Sequence, residues 1–168
     1  MATLSFQGHF LHTNGELPAV GSAAPDFSLT NAALQEVTLH DYAGKRKIFN
    51  IVPSLDTPIC ATSARKFNEK IAHFSDTVVL LISADLPFAQ CRFCSSEGLH
   101  HVVALSTFRT DFASVYGVNI IDGLLAGLTA RAIVIVDAQN TVIYTELVSE
   151  LTHEPHYEQA LAALKPPR

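Results

Sequence analysis

Lys47-Ile48-Phe49-Asn50-Ile51-Val52, followed by Pro53-Ser54-Leu55-Asp56-Thr57-Pro58-Ile59-Cys60, is the stretch on which the reading of this chain turns. Its first half is apolar and β-branched, the pattern of a strand buried on both faces. Its second half breaks that strand with Pro53 and restarts the backbone as a helix. Thr57 or Asp56 is placed to cap that helix, with Pro58 at its first position, where a missing N–H costs nothing. From Cys60 the apolar residues Cys60, Ala64, Phe67, Ile71 and Phe74 recur at intervals of four and three and share one face. Thr62, Arg65, Lys66, Glu69, Lys70 and His73 fill the opposite face. Thr57 to Phe74 is therefore expected to be an amphipathic helix laid on a sheet.

Outward from this unit, strands and helices alternate. Thr77–Ser83 is the strongest strand signal, Pro87 to about Ser96 a short helix, Val102–Ser106 a strand, and Phe108–Tyr116 a helix ended by Gly117. Ala132–Val136 and Thr141–Val148 flank Asp137–Asn140 as an antiparallel hairpin. Pro155 opens a last helix to about Leu164. Upstream, Thr3–Gln7 and Phe10–Thr13 flank a Gly8-His9 turn as an N-terminal hairpin, and Phe27–Leu29 and Glu36–Leu39 are short strand candidates. The fold class is α/β: a central mixed β-sheet flanked by helices, in the order of a thioredoxin-like fold with an N-terminal β-hairpin extension. In such sheets ligands sit beyond the carboxyl ends of the strands. Pro53–Cys60 and Ala84–Cys94 occupy those positions.

Bulk properties narrow the function. The 168 residues are 48% hydrophobic and 16% charged, with a formal net charge of −5, so the whole chain, 1–168, is expected to fold as a single domain around one core rather than be disordered. There is no basic run for nucleic acid and no apolar run long enough for a membrane span. The first residues carry neither a basic region nor a continuous apolar stretch, so the cytoplasm is the expected compartment. Three cysteines are too few for a disulfide scaffold. No Gly-rich phosphate loop and no Gly-x-Ser-x-Gly elbow occurs.

Three groups of residues carry chemistry. Cys60 falls in the first turn of its helix, where backbone N–H groups lack partners and the helix dipole favours a thiolate. The same position suits a small core hydrophobe, half sheltered by apolar neighbours. Pro87-Phe88-Ala89-Gln90-Cys91-Arg92-Phe93-Cys94 holds a Cys-x-x-Cys pair, open to a dithiol role, to half a zinc site completed by His100 and His101, or to an incidental Cys91. Arg131, at the start of an apolar strand, suits either a structural ion pair or stabilisation of a thiolate and of charge on a leaving oxygen.

At these residues the chain resembles the peroxiredoxin superfamily, and within it the bacterial thiol peroxidases of the atypical two-cysteine type. The motif Pro-x-x-x-Thr/Ser-x-x-Cys is complete as Pro53, Thr57 and Cys60. The resemblance extends to Phe6-Gln7-Gly8, Ala43–Lys47, Ser83–Gln90, Arg92-Phe93-Cys94, Leu105–Arg109 and Gly127–Ala132. It implies that Cys60 is the peroxidatic cysteine and Cys94 the resolving cysteine of the same chain. It implies that Thr57 positions the peroxide, that Pro53 shields Cys60 from water and that Arg131 polarises both. It further implies reduction of hydrogen peroxide and alkyl hydroperoxides, recycling by thioredoxin, a homodimer, and no metal or organic cofactor. Cys91 departs from the pattern, which leaves a Cys91–Cys94 disulfide, and a disulfide oxidoreductase built on it, as the alternative.

One consequence of the resemblance is geometric. Cys94 lies about seven residues into its helix, on the order of 10 Å along the axis at roughly 1.5 Å per residue. A disulfide requires Cα atoms within about 7 Å. The reduced chain is thus expected to hold the two sulfurs apart, and closure of the Cys60–Cys94 bond to unwind the Cys94 helix.

Overall fold

A computed structural model of the chain describes residues 1–164. Strand β1 (Thr3–Phe6) pairs antiparallel with β2 (His9–His12) as a separate hairpin. Its turn is Gln7-Gly8 rather than Gly8-His9, because both turn residues take positive φ (50° and 85°) and the glycine serves best at the second position. The main sheet has seven strands in the order β4-β3-β7-β6-β5-β8-β9: β3 (Leu29–Thr30), β4 (Glu36–Val37), β5 (Arg46–Ile51), β6 (Thr77–Ser83), β7 (Val102–Ser106), β8 (Ala132–Val136) and β9 (Val142–Leu147). β5, β6 and β7 are parallel, and β8 and β9 close the sheet antiparallel, so the sheet is mixed as the sequence predicts.

Alternation within β5 assigns the two faces. Ile48 and Val52 point toward helix α1 (Pro58–Ile71), joining Phe67, Leu81, Ile133 and Leu161. Phe49 and Ile51 point to the other side, where Phe27, Phe112 and Tyr116 pack with Leu80 and Val134. Phe27, Phe49, Phe112 and Tyr116 make edge and stacked aromatic contacts at 4.4–5.9 Å between centroids. Helix α2 (Pro87–Glu97) covers the β7 side, and α4 (Tyr157–Leu164) packs beside α1.

Several sequence expectations shift in detail. Phe27 belongs to the core but precedes β3 rather than forming it. The helix expected over Phe108–Tyr116 shrinks to α3 (Phe112–Val115), because Thr107–Thr110 closes a turn first. Pro155 stands two residues before α4. The rest of the β-α-β order follows the periodicity.

Candidate active site

The site is built where β5 ends. Thr57, with φ −96° and ψ 144°, is the N-cap of α1, and Pro58 takes the first helical position. The Thr57 hydroxyl accepts from the Cys60 N–H at 3.4 Å and donates to the Ser54 carbonyl at 3.1 Å. Of the two sequence candidates, Thr57 is the cap, while the Asp56 side chain is exposed. Cys60 stands at the third helical position. It is fully buried, not half sheltered. It belongs to the core cluster that includes Val52, Leu55, Phe67 and Ile133, tertiary neighbours that helical periodicity could not foretell.

Arg131 meets the same sulfur. The antiparallel register of β5 and β8 sets Ile51 opposite Ala132, so Arg131 falls beside the end of β5. The Thr129 hydroxyl donates to the Val52 carbonyl at 2.9 Å and fixes that junction. Arg131 is 2% exposed. Its Nη1 donates to Cys60 Sγ at 3.0 Å, while Nε and Nη2 donate to the Leu151 carbonyl at 3.1 and 2.9 Å. None of the ion pairs among the described residues involves Arg131. The structural ion pair open in the sequence is therefore not the arrangement found.

An apolar cavity of about 270 Å³ leads to this cluster. Its walls include Phe6, Leu125, Leu128 and Leu151, with Pro53, Thr57 and Arg131 among its inner residues. Pro53 is buried. The cavity thus brings together Pro53, Thr57 and Arg131 of the expected set, and Cys60 lies one hydrogen bond behind Arg131. Leu125 supplies part of this wall; Leu124, one residue away, is 80% exposed.

Cys94 stands apart. It is part-buried on α2 and free, as are Cys60 and Cys91. The α2 residues that face the Leu55–Ala61 segment are Ala89, Arg92, Phe93, Ser96 and Glu97. Cys94 and Cys91 instead line a groove of about 390 Å³ against β7 and the β3–β4 turn. Burial pushes the Cys94 thiol up to about 11, with the charge of Cys91 adding to the shift. That direction is opposite to an activated dithiol, and both cysteines sit in mid-helix, away from the unpaired N–H groups of its start. His100 and His101 are both exposed, with His101 N–H bonded to Asn68, and no three His, Cys, Asp or Glu side chains converge as metal ligands among the described residues.

Sequence reasoning missed Asp85. Its carboxylate accepts from the Ser54 hydroxyl (2.9 Å), the Leu55 N–H (2.8 Å) and the Ser83 hydroxyl (2.7 Å). It ties the Cys60 loop to the end of β6. It also fixes Ser54, whose carbonyl holds the Thr57 hydroxyl. The available signal was a lone acid directly after the strongest strand, within Ser83-Ala84-Asp85-Leu86-Pro87, but nothing in the spacing said what it would hold.

A parallel strand triplet flanked by helices, with a capped cysteine and a buried arginine at its carboxyl edge, is a thioredoxin-like arrangement. Residues 19–161 match the redoxin family, and the chain belongs to it. The similarity is more particular than that. The chain is 52% identical over 164 residues to the thiol peroxidase of Mycobacterium tuberculosis, covering 98% of this chain and 99% of that one. The thiol peroxidase of Mycobacterium bovis gives the same figures. Among solved structures, a peroxiredoxin-like protein from Aquifex aeolicus superposes with a TM-score of 0.91 at 38% identity, covering 96% of this chain and 95% of that one. A thiol peroxidase from Chromobacterium violaceum shares the fold, with a TM-score of 0.90 at 24% identity over 96% of this chain and 94% of that one. The resemblance to peroxiredoxins and the thioredoxin-like fold are borne out.

Proposed function

We propose that this chain is a thiol peroxidase in which Cys60 reduces hydroperoxides. The observation that carries the reading is the contact between Arg131 and Cys60 Sγ. Arg131 cannot lose its charge, and a charge this deeply buried is costly unless paired. Two of its donors meet a neutral carbonyl and a third meets the sulfur, so a fixed positive charge stands where a nucleophilic sulfur would react. Thiol peroxidases related at 52% identity support the same assignment.

In the proposed cycle the Cys60 thiolate attacks the terminal oxygen of the hydroperoxide. The O–O bond breaks, the alkoxide or hydroxide leaves and takes up a proton, and Cys60 becomes a sulfenic acid. Arg131 has further N–H groups to meet the developing negative oxygen. Thr57, whose hydroxyl proton is committed to Ser54, is left to accept from the O–H of the peroxide. Pro53 keeps water from the reacting atoms. Cys94 then attacks the sulfenic sulfur, water leaves, and the Cys60–Cys94 disulfide forms. Because Cys94 faces another groove than the start of α1, this step requires α2 to unwind. A dithiol protein of the thioredoxin type restores both thiols by exchange. The apolar lining of the cavity suits alkyl hydroperoxides as well as hydrogen peroxide.

Peroxide consumption with a thioredoxin system tests the reading. Wild type should turn over continuously and Cys60→Ser should be inactive; equal activity of the two would overturn it. We also propose that the chain acts as one domain in the cytoplasm and as a homodimer. Support for the dimer comes from Phe10, Ile121 and Leu124, exposed on adjoining segments joined by the Ile121 N–H to His12 carbonyl bond. Sedimentation should show a dimer that Leu124→Glu dissociates.

A further inference from the structure

The sequence pattern leaves Cys91 without a role, and the fold places it where one exists. Cys91 is exposed and Cys94 part-buried, three residues apart on α2, and both line the groove against β7. Side chains at this spacing have Cβ atoms about 5–6 Å apart. A disulfide closes that to roughly 3.5–4.5 Å. The remaining shift is small, and α2 has to loosen around Cys94 in any case to resolve Cys60.

We infer that Cys91 takes over the disulfide from the active site: after Cys60–Cys94 has formed, Cys91 attacks Cys94, releases Cys60, and leaves a Cys91–Cys94 disulfide on the exposed helix. This step rests on the peroxidase cycle proposed above. It is a redox-neutral exchange. Cys91 loses its proton to solvent, the Cys91–Cys94 sulfur bond forms, the Cys60–Cys94 sulfur bond breaks, and the electron pair of the broken bond departs on Cys60. No outside oxidant or reductant is needed.

Two features give the exchange its direction. The departing sulfur should be the one best able to hold charge. Cys60 leaves into a hydrogen bond from Arg131, at 3.0 Å in the reduced chain. Attack at the Cys94 sulfur, which frees Cys60, is therefore favoured over attack at the Cys60 sulfur. Access points the same way: Cys91 is three residues from Cys94 in sequence whatever the state of α2, whereas Cys60 is fully buried on another helix. The consequence is that Cys60 is rearmed before any external reductant arrives, and the reductant meets a surface disulfide rather than a buried one.

The test is stoichiometric. Fully reduced chain is mixed with excess hydrogen peroxide without reductant, and the rapid phase of consumption is measured. Wild type should consume two equivalents: the first ends as Cys91–Cys94, the second leaves Cys60 as a sulfenic acid that a 1,3-diketone traps. Cys91→Ser should consume one equivalent and give no trapped Cys60. Trypsin cuts after Arg92, so the bond can be mapped after a single equivalent. The exchange predicts peptide 71–92 joined to 93–109 in wild type, and 48–65 joined to 93–109 in Cys91→Ser. One equivalent in both proteins, with 48–65 joined to 93–109 in both, overturns the exchange while leaving the peroxidase reading intact. No rapid consumption in either overturns both.

Discussion

Arg131 donates to the Cys60 sulfur and the Thr57 hydroxyl accepts from the Cys60 N–H, and each has a second structural duty that substitution should separate. Arg131 supplies charge and a planar fork. Arg131→Gln keeps some hydrogen bonding but loses the charge, and the sulfenic acid step should slow by about 10²–10³, the usual effect of removing one preorganised donor to a developing anion. Arg131→Lys should fall between the two, because a lysine offers a point charge without the fork that also grips the Leu151 carbonyl. Stopped-flow peroxide consumption reads both; equal rates for all three would remove Arg131 from the chemistry. Thr57 combines the helix cap with the proposed contact to peroxide. Thr57→Val should cost about 1 kcal/mol in urea unfolding and most of the activity, whereas Thr57→Ser should retain both. These residues were legible in the sequence because Pro53, Thr57 and Cys60 lie within eight residues of one another and their spacing sets the first turn of a helix. Arg131 was visible as a cation at the edge of an apolar strand, but its target was not: only the register of β5 with β8 sets it beside Cys60.

At the scale of the element, the proposed cycle puts its demand on α2. Its inward anchors are few: Pro87 and Gln90 are its buried residues, and Gln90 reaches the Ser83 hydroxyl and the Leu105 carbonyl. Both sit in the first turn; beyond it α2 is held by the partly buried Phe93 and Cys94 and by the Arg65–Glu97 ion pair, which unwinding would have to release. Hydrogen exchange should show amides 92–97 losing protection on oxidation while those of Gln90 and Cys91 keep theirs; unchanged protection would contradict the unwinding. Cys94 adds a pH dependence. Its thiol titrates higher in the folded chain, about 11, than when unfolded, so folding favours the protonated form. The stabilisation is complete below about pH 8.5, the ordinary thiol value, and is lost as pH rises toward 11. Because the side chain is part-exposed, the loss by pH 10 should be below about 1 kcal/mol after solvent screening. Comparing unfolding of wild type and Cys94→Ser at pH 8 and pH 10 isolates it from the tyrosines Tyr116 and Tyr157, whose hydroxyls burial also raises. Sequence periodicity placed α2 to within a residue, from Pro87 to about Ser96 against Pro87–Glu97 observed, because Pro87 opens it. It overestimated α3, because apolar spacing from Phe108 to Tyr116 resembles a helix even when Thr107–Thr110 first folds as a turn.

Over the whole molecule, the site depends on segments that sequence reading has no means to bring together. The β-α-β order follows from local periodicity, but the cavity is closed by the N-terminal hairpin and the segment after β9. Phe6 and Gln7 of the N-terminal hairpin face Leu151 and Thr152 across it. Glu150 joins the two: its carboxylate accepts from the Ser5 hydroxyl, the Gln7 N–H and both the N–H and hydroxyl of Thr152. Backbone bonds from Ser5 N–H to the Ser149 carbonyl and from Leu151 N–H to the Ser5 carbonyl reinforce the seam. No spacing rule links residue 5 to residue 150; the partnership exists only once β9 has returned the chain past the hairpin. The four hydrogen bonds hold the Glu150 carboxyl down at about 2, with the Ser5 hydroxyl the largest cause. A depressed carboxylate stabilises the seam above the ordinary range near pH 4.5, and that contribution fades as pH falls toward 2. At neutral pH the same loss can be imposed by Glu150→Gln, which removes the charge and turns one acceptor into a donor facing other donors. The hairpin wall should then loosen. A bulky alkyl hydroperoxide relies on the apolar wall for binding, so its KM should rise several-fold. Hydrogen peroxide has no alkyl group to place there, and its KM should change less. A parallel rise for both substrates would mean that the seam supports Cys60 rather than the cavity. An unchanged KM for both would mean that the hairpin is held by its backbone bonds alone.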